Sequence, residues 1–348
     1  MVTAVDDQAV RAAPAWPALL PWQAQAAAEA LARKASWPHA MLITGARGIG
    51  KRTLALNFAR SLLCETPRTD GFACGACASC SYAAAAQHPD LRMVEPLELE
   101  DDGETKVLDT IPVGHIRRLI EWSDLTSHRG VAKVALIVPA ELLNANAANA
   151  LLKTLEEPPP ATFLMLVANE PGRLPATVRS RCFRLEAPRP SQDEARQWLE
   201  QAGIAKASTV LAQAGGAPLL ATALADPAWQ DERSVWLAAL AKPKSLPAVA
   251  LASRLEAGAK DERKDRLGLA IDWLAGWTAD LARVAAGGEP LRNPDFADAL
   301  KALAGAVAPV ALFRYHRSLM RQRALVAHPL QPRLVAETLL FGYRDLFR

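Results

Sequence analysis

Apolar residues along this chain fall into blocks with two different periods. Ala40–Thr44 is a short apolar run that stops at Gly45, which predicts a buried strand. Beyond Lys51, the positions Leu54, Phe58 and Leu62 recur every four residues and predict a helix over Thr53–Leu63 with one apolar face. Val113–Ser123 predicts a helix with Ile116, Leu119 and Ile120 inward, Lys133–Val138 a strand, and 141–157 a long helix ended by Pro158-Pro159-Pro160. Thr162–Val167 predicts a third strand and Phe183–Leu185 a fourth. A helix is expected over 23–35, behind an Ala- and Pro-rich lead-in over 1–22, while 95–110 reads as acidic and irregular.

Strands that are apolar throughout and alternate with helices predict the α/β class, a parallel sheet with helices on both faces. From about residue 190 the strand pattern stops, and helices follow one another, punctuated by Gly215-Gly216, Pro243, Pro247 and Gly287-Gly288. The expected organisation is an α/β domain over 1–186, a small helical domain over 187–225 and a larger helical domain over 226–348.

Composition narrows the classes. With 348 residues, 51% hydrophobic and 22% charged, the chain has ample material for more than one core, which excludes a disordered chain. No apolar run reaches the ~20 residues of a membrane-spanning helix. Asp6 and Asp7 stand where a secretory signal carries positive charge, so a cytoplasmic protein is expected. A net charge of +3 falls short of an autonomous DNA binder.

Four of the five cysteines, Cys64, Cys74, Cys77 and Cys80, fall in one stretch. Two-residue gaps in C-G-A-C-A-S-C let neighbouring thiolates turn onto one metal, and Cys64, at the end of the predicted helix, supplies a fourth ligand for a closed structural zinc site. A redox pair is the rival reading; disulfides suit a secreted chain better than this one. Cys182, alone between Arg181 and Phe183, reads as a small buried hydrophobe.

Gly45-Ala46-Arg47-Gly48-Ile49-Gly50-Lys51-Arg52-Thr53 follows a strand and opens a helix, matching the G-x-x-x-x-G-K phosphate loop. Backbone N–H groups freed by Gly45, Gly48 and Gly50 would surround phosphates at the positive end of a helix, with Lys51 neutralising them. The magnesium-holding hydroxyl is replaced by Arg52, and Thr53 comes one position late. ATP with Mg²⁺ is therefore a candidate ligand, against a relic loop that keeps only the fold. Hydrolysis also needs carboxylates at the end of a later strand. Lys133–Val138 instead runs into Pro139-Ala140-Glu141, with no Asp-Glu pair, and Glu141 is expected to favour a helix N-terminus. A motor would need Glu141 or Glu156 to move into the site. Ser180-Arg181-Cys182 presents an arginine that could reach a neighbouring subunit's γ-phosphate, or simply be a solvated cation beside Arg179.

Ala148-Asn149-Ala150-Leu151-Leu152-Lys153-Thr154-Leu155-Glu156-Glu157-Pro158-Pro159 resembles the NALLKTLEEPP signature of bacterial clamp-loader subunits, a branch of the AAA+ proteins. Ser180-Arg181-Cys182 resembles their SRC motif, and the four-cysteine insert their zinc module; together these motifs span residues 40–185 in the family's order. The resemblance implies an AAA+ domain with a zinc module at 64–80, a lid and a helical collar. Carried over, it implies that Arg181 is an arginine finger acting in trans, that Cys64, Cys74, Cys77 and Cys80 bind zinc, and that Gly45, Gly48, Gly50, Lys51, Arg52 and Thr53 form the nucleotide loop. The family's second-domain sensor arginine is missing at Gly216-Ala217-Pro218. With the absent acidic pair, this implies a non-hydrolysing stator of the DNA polymerase III clamp loader rather than its tau/gamma motor, and a non-catalytic subunit of a nucleotidyltransferase holoenzyme. The implied partners are tau/gamma and delta in a pentameric ring that loads the sliding clamp onto primed DNA. In that frame the apolar positions of 261–286 either pack against partner helices or form a buried core helix.

Overall fold

A computed structural model describes residues 16–99, 105–257, 260–326 and 331–348. The first fifteen residues of the lead-in and residues 100–104 of the acidic stretch lie outside the described residues. Two compact units divide the described chain, 16–194 and 195–348.

The first unit runs α1 (Ala24–Leu31), β1 (Ala40–Thr44), α2 (Lys51–Leu63), α3 (Ala78–Ala84), β2 (Leu91–Val94), β3 (Leu97–Leu99), β4 (Thr105–Val107), α4 (Val113–Asp124), β5 (Lys133–Ile137), α5 (Ala145–Glu156), β6 (Thr162–Ala168), α6 (Ala176–Arg179) and β7 (Phe183–Glu186). Five strands form one parallel sheet in the order β2-β5-β6-β1-β7. β1 pairs with β6 from Ala40–Leu164 to Thr44–Ala168, so both strands end side by side. Ala40, Leu42, Ala135, Ile137, Leu164 and Leu166 face α4 and α5 through Ile116, Leu119, Leu151 and Leu155. The alternate positions Met41, Ile43, Val134, Leu136, Met165 and Val167 are buried as well. Because successive strand residues point to opposite faces, burial of both sets requires cover on both, the arrangement expected from the sequence.

Four features differ from expectation. β2 joins the sheet as a fifth strand; it is a half-exposed edge strand of four residues carrying Arg92, with too little apolar pattern to signal itself. The stretch read as irregular holds an antiparallel hairpin, β3 with β4, registered Leu97–Val107 and Leu99–Thr105. The helix expected over 141–157 starts late. Ala140–Leu142 is a 3-10 turn, and α5 begins at Ala145, capped by Asn144, whose side chain accepts the Ala147 N–H at 2.8 Å. The helix expected over 23–35 is likewise shorter, α1 lying between 3-10 turns at Pro21–Gln23 and Lys34–Ser36.

Buried charges brace the β2–β5 edge. Lys133, at the start of β5, sends its ammonium to the carbonyls of Trp122, Ser123 and Leu125, satisfying acceptors that the end of α4 leaves open. Asp90, fully buried before β2, accepts N–H groups from His128 and Arg129 at 2.8 Å each and the Ser127 hydroxyl at 3.0 Å. His88 Nδ1 accepts the Asp90 N–H at 3.1 Å, which leaves the neutral ring's proton on Nε2.

In the second unit every described element is a helix. α7 (Gln192–Gln201), which enters it, is followed by α8 (Ala207–Gln213) and α9 (Pro218–Leu224), packed around Leu199, Val210, Leu211 and Leu224. α10 (Pro227–Leu240), α11 (Ala248–Ser253), α12 (Lys260–Ala285), α13 (Ala297–Ala304), α14 (Pro309–Leu325) and α15 (Pro332–Asp345) share a second, larger core. Leu267, Ile271, Leu274, Trp277 and Leu281 of α12 are buried inside this core, so the chain's own helices cover them. Trp277 Nε1 donates to the Tyr343 hydroxyl at 2.8 Å, which donates to the Leu240 carbonyl at 2.9 Å, linking three helices through one buried chain. Among the described residues no single helix is long and apolar enough to cross a membrane.

Candidate functional site

Parallel pairing brings the ends of β5, β6 and β1 to one edge of the sheet, the position where an α/β fold holds its ligands. The loop Gly45–Gly50 leaves β1 there. Gly48 and Gly50 adopt φ of 77° and 90°, left-handed backbone that a side chain disfavours. Gly50 is the N-cap of α2, so the loop's N–H groups stand at the positive end of a helix of 13 residues.

Lys51 is 3% exposed and its ammonium is held, donating to the Ala46 carbonyl and to Asn169 Oδ1, both at 2.7 Å. Asn169 stands directly after β6, and nothing in its sequence neighbourhood marks it. Glu141 reaches the same place: its Oε1 accepts the N–H groups of Asn169 at 3.0 Å and Glu170 at 3.3 Å. Glu141 does stand in a first turn, but that of the 3-10 turn Ala140–Leu142 and not of α5. Asn144 caps α5, while Glu141 caps the end of β6. Arg52, in the hydroxyl's place, ion-pairs with Glu95 just past β2, and Thr53 follows it, half-buried, in the first turn of α2.

A second support was also not visible in the pattern. Trp22 Nε1 donates to the Ile49 carbonyl at 3.0 Å, and the fully buried Gln23 donates through Nε2 to the Gly50 carbonyl at 2.8 Å. Leu20 sits so close that a Cβ on Gly50 would lie 2.2 Å from its Cδ1. The segment before α1 thus grips the loop's carbonyl side and leaves its N–H side to the sheet edge.

The four clustered cysteines converge as their spacing predicts. Their Sγ atoms all lie within 4.8 Å of one another, with Cys64–Cys77 and Cys64–Cys80 at 3.8 Å and Cys74–Cys80 at 4.0 Å. Tetrahedral metal bonds of ~2.3 Å place sulfurs about 3.8 Å apart, whereas a disulfide needs about 2.05 Å. The donor set therefore fits a metal ion, and all five cysteines are free thiols. α2 delivers Cys64 at its end, and α3 delivers Cys77 as N-cap and Cys80 one turn on. The thiols differ in character: burial pushes Cys64 up to about 12. The Thr66 hydroxyl, with the N–H groups of Ala76 and Cys77, draws Cys74 down to about 5. Glu65 braces the loop from outside, accepting from Ser79 at 3.0 Å and from Arg129 at 2.5 and 2.9 Å. Burial raises Cys182 to about 11 as it packs on the sheet core, in keeping with a hydrophobic role.

Arg181 follows α6, on the surface. Its Nε and Nη2 both donate to Glu156 Oε1, at 2.6 and 2.5 Å, and its Nη1 donates to the Thr177 carbonyl at 2.9 Å. The two motifs that carry the resemblance are thus physically joined. In the second unit no arginine stands at Gly216–Pro218, but Arg292 arrives from elsewhere: its guanidinium lies against Gly215 and donates to the Gln213 carbonyl at 3.1 Å.

A phosphate-type loop at the edge of a parallel sheet, with a four-thiol cluster at the far end of the helix it opens, defines an α/β protein built like a nucleotide-binding domain. Residues 23–191 match the family described as DNA polymerase III, delta subunit. The delta' subunit of DNA polymerase III from Pseudomonas aeruginosa is 37% identical over 269 residues, 76% of this chain and 77% of that protein. Its counterpart from Escherichia coli is 33% identical over 277 residues, 79% of this chain and 78% of that protein. The tau subunit of Escherichia coli is 36% identical over 162 residues, 47% of this chain but 23% of that protein. The chain belongs to the delta-prime subunits of the DNA polymerase III clamp loader.

Proposed function

We propose that this chain is a non-hydrolysing stator of the clamp loader, an AAA+ subunit that stands with tau/gamma and delta in a pentameric ring in the cytoplasm. It helps to place the sliding clamp on primed DNA and lends Arg181 in trans to the ATP site of a motor neighbour. On this reading 187–225 is the lid and 226–348 the collar, a division supported by the two separate hydrophobic clusters of the helical unit. Cys64, Cys74, Cys77 and Cys80 hold a structural zinc.

The observation that carries the reading is the committed state of the groups hydrolysis would need. β5 ends at Val138-Pro139 without a carboxylate. The two acids nearest to serving as substitutes are engaged, Glu141 by the N–H groups after β6 and Glu156 by Arg181. Arg52 and Glu95 neutralise each other where a hydroxyl would hold Mg²⁺. The test is steady-state ATP hydrolysis by the purified chain, with Lys51→Ala as control. No Lys51-dependent turnover is expected. The intact glycines and Lys51 favour a second reading, a tau/gamma-type motor, and robust Lys51-dependent turnover would establish it instead.

A further inference from the structure

We infer that Glu156 is a positioning residue for Arg181, holding the guanidinium in the orientation it needs to act on a neighbouring subunit's phosphate. The inference rests on the trans role proposed for Arg181 and adds to it the group that aims the arginine.

Arg181 is a long side chain on a short connection between α6 and β7, with its side chain 34% exposed. Such a side chain would ordinarily sample many rotamers, and ordering it at the moment of reaction would cost entropy that a pre-set geometry avoids. Here three contacts remove that freedom. One carboxylate oxygen, Glu156 Oε1, receives both Nε and Nη2, which fixes the plane of the guanidinium along one edge. The Thr177 carbonyl receives Nη1 at 2.9 Å and fixes its rotation from another side. Of five N–H donors, these contacts use one on Nε, one on Nη2 and one on Nη1, and Nη1 also donates to Ser180 Oγ at 3.5 Å. A second N–H on Nη2 stays available for an incoming oxygen.

The acceptor is itself firmly placed. Glu156 is the last residue of α5, whose N-terminus is locked by the Asn144 cap and whose Leu151 and Leu155 are buried in the sheet core. A half-exposed ion pair contributes little to stability, so a contact of this geometry is better explained by orientation than by folding. That separates the roles of the two acids in Glu156-Glu157-Pro158-Pro159: Glu156 pairs with Arg181, and Glu157 is the helix C-cap residue.

The experiment uses clamp loaders reconstituted from tau/gamma, delta and this chain, carrying Arg181→Ala, Glu156→Gln or both, with DNA-stimulated ATP hydrolysis as the readout. Glu156→Gln is expected to assemble normally and to lose at least about half of the kcat that Arg181→Ala loses, with KM for ATP unchanged. The double variant is expected to be no slower than Arg181→Ala alone, because both changes remove one function. If Arg181→Ala slows the complex while Glu156→Gln runs at wild-type rate or faster, positioning by Glu156 is overturned and the arginine finger stands. If Arg181→Ala itself has no effect, the finger reading falls and takes this inference with it.

Discussion

Lys51 Nζ and Asn169 Oδ1 are 2.7 Å apart, although 118 positions separate them in the chain. The contact ties the start of α2 to the end of β6. A phosphate arriving at the loop would have to compete with Asn169 for the ammonium.

Replacing Asn169 by Leu deprives a buried ammonium of one acceptor. A loss of about 1–3 kcal/mol is expected without nucleotide, measured by denaturant unfolding. If Lys51 meets phosphate, ATP raises the melting temperature of Asn169→Leu more than that of the wild type. Equal shifts, or none, would mean that the loop does not use Lys51 for phosphate.

Gly50→Ala tests the grip of Leu20 on the loop. The new Cβ combines left-handed backbone with a contact to Leu20 Cδ1 far inside van der Waals range. About 1–3 kcal/mol of destabilisation is expected. Adding Leu20→Ala relieves the Leu20 clash but leaves the backbone strain and the 2.9 Å approach to Gln23 Nε2, so the double variant should be more stable than the sum of the two single changes allows.

If the thiols hold zinc, the purified chain carries about one zinc per molecule, and Cys80→Ser, at a buried ligand, loses it. Chelation should then expose the 64–80 stretch to proteolysis while leaving the helical unit's melting unchanged. A metal-free protein with an undisturbed cluster would count against the site.

Acid sensitivity should appear in two stages. Burial holds the His88 pKa below its usual value, so its contribution is full above about 6.5 and is lost as pH falls from there through the folded value. Burial opposes the Asp90 charge, but the N–H groups of His128 and Arg129 and the Ser127 hydroxyl outweigh it and hold its pKa low. That stability is present above about 3.9 and is lost as pH falls through the depressed folded pKa. Melting temperature against pH, with metal content followed in the same samples, should show both descents in the wild type. His88→Gln should lack the first.

The strongly buried strands and the cysteine cluster were legible in sequence because each depends on local spacing: β1, β5 and β6 are apolar at both alternating positions, and three thiols are separated by two-residue gaps. β2 was not, since an edge strand of four residues with Arg92 outward has no run to read. Asn169, Gln23 and Glu141 were missed or misassigned for a different reason. Each acts on a backbone or side chain brought near only by tertiary structure, and an amide or carboxylate at the end of an element looks the same whether it faces water or a loop. Arg181 and Glu156 stood in recognisable motifs, but their partnership belongs to tertiary structure.

The settled contacts around Lys51 also bear on how this loop can change over evolutionary time. A hydroxyl in place of Arg52, as a magnesium site would need, removes the ion pair with Glu95, and a carboxylate at Val138 or Pro139 would add negative charge just past β5. The change at Arg52 breaks a present contact before any metal site exists. If the chain is a stator, the Arg52–Glu95 pair would therefore resist stepwise change of this loop toward magnesium binding.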